Sequence, residues 1–158
     1  MKKILIVLAA ILAFGLSASA QRQNITFATA GVVTDFYDLN KVYPGIDAAY
    51  GFRNYNRDAF VSFAYGLEGY AYWLPSYGAA ALGLYAIPSI GVAIGARNFK
   101  IYPHTGFMAG FNTFQKKFSV GSMSGFALEF GEHAGVDFCA YYLSDYHWTS
   151  AINFTWRF

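Results

Sequence analysis

Hydrophobic and polar positions alternate with period 2 along most of the chain, and most regularly at its end. In residues 150–158, Ile152, Phe154, Trp156 and Phe158 take one side and Ala151, Asn153, Thr155 and Arg157 the other. Side chains of an extended chain point to opposite faces in turn, so this pattern predicts a strand with one apolar and one polar face. The same rhythm predicts strands at 45–53, 59–69, 99–112, 118–130 and 136–143, and more weakly at 24–34. In 24–34, Ile25, Phe27, Gly31 and Val33 stand opposite Thr26, Ala28, Ala30 and Val32. Short turns are expected at 54–58, 96–100 and 131–135. Loops are expected at 35–44, 70–78, 113–117 and 144–147.

Residues 79–96 carry no charge and allow three readings. A transmembrane helix of near-minimal length is one. Gly83, Pro88, Gly91 and Gly95 oppose it, and Leu82, Leu84, Ile90, Val92 and Ile94 all keep to even positions, a strand register. As a single strand the segment would run about 60 Å, roughly twice a hydrocarbon core. A hairpin turning at Pro88-Ser89 is the third. One strand gives eight in total and a hairpin gives nine. Bacterial membrane barrels have even strand numbers, so we choose eight.

The faces differ in chemistry. Asp47, Arg53, Glu68, Arg97, Glu129, Asp137 and Arg157 all fall on the face rich in Gly, Ala and Ser. Large apolar residues hold the other. A soluble ligand-binding barrel would place its large residues inside and its charges in water. The arrangement here suits the reverse, with lipid outside and a narrow bore filled by small and charged side chains. The seven charged residues are therefore expected as an interior network, paired because an unpaired buried charge costs several kcal/mol. For Arg53, Arg97 and Arg157, a place at the rim is the alternative. Aromatic girdles are expected at both ends. Phe52, Tyr55, Phe60, Phe99, Phe130, Trp156 and Phe158 would form the periplasmic one. Tyr43, Tyr70, Tyr72, Trp73, Tyr142 and Trp148 would form the outer one. Tyr72, Trp73 and Tyr77 mark the long outer loop 70–78.

Composition agrees. Aromatic residues make up 20% of the chain and charged residues only 13%, against about 25–35% charge on a soluble surface. Lys2 and Lys3 account for the excess of 11 Lys+Arg over 9 Asp+Glu. They precede the apolar run 4–16 and the small-residue site Ala18-Ser19-Ala20. This reads as a secretory signal peptide over 1–20, cleaved after Ala20, with one domain over 21–158. No basic patch remains for nucleic acid.

A signal peptide, eight alternating strands and the closing Ile152-Asn153-Phe154-Thr155-Trp156-Arg157-Phe158 resemble the small outer-membrane β-barrels. These are the OmpX-like and OmpA-barrel-like families and their relatives in Bacteroidota. The resemblance spans residues 21–158 and rests on pattern rather than on a diagnostic motif. It implies an all-β, eight-stranded antiparallel transmembrane barrel with short periplasmic turns. It also implies that Phe154, Trp156 and Phe158 are the signal read by the barrel-assembly machinery. The expected location is the cell outer membrane of a Gram-negative envelope. The expected partners are outer-membrane lipid, the assembly machinery and an unidentified extracellular partner, with the barrel a monomer.

Signals for chemistry are sparse. The His-x-Ser-Asn pattern of lipid A deacylase-like barrels is absent: Thr105 and Gly106 follow His104. His133 follows Glu132 in a periplasmic turn. His147 lies near Ser144 and Asp145, a suggestive composition for a loop but not a triad. The three histidines share no metal-ligand spacing, and the single Cys139 reads as a small inward residue. No cofactor or metal site is expected. The leading function is a non-enzymatic barrel with a structural or surface-interaction role through its outer loops. A lipid-modifying enzyme and, behind it, a soluble ligand-binding barrel are the alternatives.

Overall fold

A computed structural model describes residues 22–38, 41–75, 82–113, 116–144 and 147–158. They form eight strands: β1 (Gln23–Asp38), β2 (Lys41–Tyr55), β3 (Val61–Trp73), β4 (Leu82–Ala96), β5 (Phe99–Asn112), β6 (Lys117–Phe130), β7 (Ala134–Leu143) and β8 (His147–Arg157). Each strand pairs antiparallel with its neighbours in sequence, and β8 returns to β1 to close a barrel. Closure leaves no unpaired sheet edge. At the seam Phe27 faces Arg157 and Val32 faces Ile152, and the Phe158 amide donates to the Thr26 carbonyl at 2.9 Å.

From Leu82 to Ala96 the uncharged segment is a strand, β4, and not a helix or a hairpin. Leu84, Ile90 and Ile94 point outward and Tyr85, Ile87, Ser89 and Ala93 inward, as the even register requires. Pro88 sits inside this strand with its ring outward. Proline has no N–H to give a ladder. Paired positions between β4 and β5 accordingly skip from Ala86↔Ala109 to Ser89↔Gly106, and again from Gly91↔His104 to Ile94↔Ile101 beside Pro103.

Two expected loops are largely strand. Residues 35–44 belong to β1 and β2 except for the short link between Asp38 and Lys41, with a register irregularity between Asp35 and Asp38. Strand β3 continues through Tyr70 and Tyr72 to Trp73. In consequence Tyr70 and Tyr72 point into the barrel, at 2% and 6% exposure, instead of joining an outer girdle. Trp73 and Trp148 do point outward, and Tyr77 lies outside the described residues. Tyr55, expected in the opposite girdle, is also interior, whereas Phe52, Phe60, Phe99, Phe130, Trp156 and Phe158 are exposed.

Strand β1 reverses the rule of large residues outside. Ile25, Phe27 and Val33 are buried in the bore, and Thr26, Ala28, Ala30 and Val32 face out. Its neighbours explain the inversion. Outward Ala28 lies between Tyr50 of β2 and Trp156 of β8, and Ala30 is paired with Phe154. Large side chains on the flanking strands cover the gap that alanine leaves.

Among the described residues, buried side chains pack the bore. Away from the termini it is lined by aromatic and apolar side chains, with Tyr70 stacked on Tyr141 at 4.5 Å and Tyr72 parallel to Tyr85 at 6.0 Å. Small residues opposite make this possible. A Cβ on Gly83 would lie 2.4 Å from the Tyr72 ring, so only glycine fits there. Toward the termini the filling becomes charged.

Candidate functional site

Charged side chains enter the bore because inward positions on adjacent strands fall at similar heights. Arg53 of β2 donates to Asp137 of β7 at 2.6 Å and lies 3.8 Å from Glu129 of β6. Its guanidinium covers the ring of Phe27 at 4.3 Å and that of Tyr102 at 4.8 Å. Each such contact is worth about 2 kcal/mol when desolvated. Glu129 also accepts from Arg157 of β8 and from the Tyr55 hydroxyl. Arg157 further donates to the carbonyls of Phe130, Gly131 and Ala134 at 3.0–3.3 Å, so it ties β8 to the β6–β7 turn. Each of these charged side chains is no more than 4% exposed.

Asp137 is the branching point. One carboxylate oxygen takes Arg53. The other meets Nε2 of His104 at 3.0 Å and accepts from the Cys139 thiol at 3.3 Å. The His104 ring lies flat on Tyr102 at 4.9 Å, and Tyr102 in turn parallels Tyr55 at 6.2 Å. Asp47 stands apart from these ion pairs: Asn153 of β8 donates to it at 3.0 Å. Glu68 faces the bore from β3 within the field of Arg53 and Asp137.

Arg97 is not in this network. It lies past the end of β4, 62% exposed, with Asp58 at 3.8 Å and Glu132 at 3.3 Å, each on a different turn at the terminal end. Inward alternation holds only within a strand, and the turn after Ala96 redirects the side chain to the rim. Lys100, expected at the junction of the 96–100 turn and the 99–112 strand, takes the inward place. It is 2% exposed and donates to the carbonyls of Ala59 at 2.7 Å and Gly95 at 3.0 Å. Among the described residues the buried acids are Asp35, Asp47, Glu68, Glu129 and Asp137, against the buried bases Arg53, Lys100 and Arg157.

The remaining candidates are dispersed. His133 donates through Nδ1 to the Arg157 carbonyl at 3.0 Å and stacks on Trp156 at 5.3 Å. His147 opens β8, so it is a strand residue rather than part of a loop, and Asp145 lies outside the described residues. Phe154, Trp156 and Phe158 line up on the outer face of β8, all exposed. His104 and Cys139 escaped a search by spacing. Only the two registers that place both of them level with Gly125 of β6 bring them together.

No protein-family model matches the chain, and no curated protein and no solved structure matches it either. The fold itself defines the class only as a closed, eight-stranded antiparallel β-barrel, which is consistent with a small outer-membrane barrel.

Proposed function

We propose that the protein is a non-enzymatic integral barrel of the bacterial outer membrane, exported by the signal peptide at 1–20 and inserted as a monomer. The observation that carries this reading is the sidedness of the wall. Ile46, Phe63, Leu67, Leu84, Phe107 and Phe154 all stand outward and exposed, while the Arg53, Glu129, Asp137 and Arg157 ion pairs are sealed within. Water on that outer face would meet a continuous apolar surface far larger than soluble monomers expose. Hydrocarbon suits it, because every strand's backbone is paired within the closed sheet.

The filled bore supports a structural or surface role rather than a wide pore. The β1–β2, β3–β4, β5–β6 and β7–β8 connections share the end opposite the termini and would face outward to present a binding surface. Phe154, Trp156 and Phe158 serve in this reading as the strand recognised by the assembly machinery. Cell fractionation tests it. The protein is expected with outer-membrane proteins, and its unheated form should migrate differently from its boiled form on gels. Recovery in the soluble periplasm, without detergent, would overturn the proposal.

A further inference from the structure

We propose that His104, Asp137 and Cys139 form a binding site for a zinc-class divalent cation inside the barrel. Their donor atoms, an imidazole nitrogen, a carboxylate oxygen and a sulfur, all lie within 4.8 Å of one another and are buried. Ligand atoms around a tetrahedral zinc stand roughly 3.3–3.8 Å apart, given metal–ligand bonds of about 2.0–2.3 Å. The two distances to Asp137, 3.0 and 3.3 Å, need only a small expansion to admit the ion.

The backbone lets these donors converge. His104 and Cys139 sit on β5 and β7, both level with Gly125 on the strand between them. A Cβ on Gly125 would lie 2.9 Å from the Cys139 sulfur. The absent side chain is therefore what lets imidazole and thiol converge across an intervening strand. Arg53 holds one oxygen of Asp137 and so turns the other toward the two remaining donors.

Donor chemistry selects the ion. Thiolate with imidazole suits zinc and its cobalt surrogate, whereas magnesium and calcium prefer all-oxygen shells. On binding, Cys139 releases its proton to solvent and the imidazole proton moves from Nε2, where it faces Asp137, to Nδ1, which frees Nε2 for the ion. The ion then replaces the two hydrogens that now point at Asp137, and Arg53 keeps its bond to the second oxygen. With three protein ligands the fourth position is left to water.

The test uses the full chain folded in detergent, with cobalt(II) either present during refolding or added afterwards. One equivalent should produce a thiolate-to-cobalt charge-transfer band, removed by competing zinc. Cys139→Ser keeps a hydroxyl to donate to Asp137 and so preserves the barrel; it should lose the band while still showing heat-modifiable migration. His104→Gln should weaken zinc competition. A folded wild-type barrel that gives no band in either arm overturns the site, as does a band that persists in Cys139→Ser.

Discussion

Glu129 and Arg97 show how differently two charged residues can behave in one barrel. Glu129 meets Arg157, Tyr55 and Arg53 in the bore, so Glu129→Ala would leave the buried Arg157 guanidinium without its carboxylate, while Arg53 keeps Asp137. The expected loss is about 3–5 kcal/mol, read from denaturant unfolding of the barrel refolded in lipid vesicles. Arg97→Ala breaks only exposed contacts at the rim and should cost roughly 0–1 kcal/mol. Equal costs for the two would mean that the interior pairs are not the anchors drawn here. The sequence makes the shared face of these charges visible, since each of Asp47, Arg53, Glu68, Glu129, Asp137 and Arg157 obeys the period of its strand. It does not reveal partners. Pairing across the bore depends on strand heights, and parity carried one residue past the end of β4 points Arg97 inward, whereas it takes the rim place that is the alternative for it. The same limit hid Lys100, which begins the inward series of β5, and the meeting of His104 with Cys139.

At the scale of strands, β4 is the clearest test of orientation. Ile90 lies near the middle of the strand and faces outward at 52% exposure. Leu82 lies at its end. In a bilayer, Ile90→Arg should destabilise the barrel by about 2–4 kcal/mol and Leu82→Arg by roughly 0–1 kcal/mol. Similar small costs at both positions, measured in vesicles, would show that no hydrocarbon covers this wall. Most strands are legible from alternation because one face is uniformly large and the other uniformly small. Strand β1 is not, since its outward Ala28 and Ala30 depend on Tyr50, Trp156 and Phe154 of other strands for cover. The tyrosines of β3 misled for a related reason. A polar-tipped ring is at home in a lipid girdle or in a tight bore, and only the opposing Gly83 decides for Tyr72.

For the whole molecule, the even strand count follows from one requirement, that the last strand pair antiparallel with the first. That neighbourhood has a consequence for the direction in which the chain must be read. Every strand pairs with its neighbours in sequence, and Phe158 already bonds Thr26. A short linker joining Phe158 to Gln23, with the chain reopened between Arg97 and Asn98, would preserve every strand pair. Such a circular permutant should refold in detergent and keep its heat-modifiable migration. Failure to refold would mean that the order of synthesis, and not the register alone, shapes the barrel. In cells the same permutant no longer ends in Phe154, Trp156 and Phe158, so its membrane assembly should fall sharply while refolding in detergent persists. The finished ring has no first or last strand, and chain polarity would matter only to the machinery that builds it.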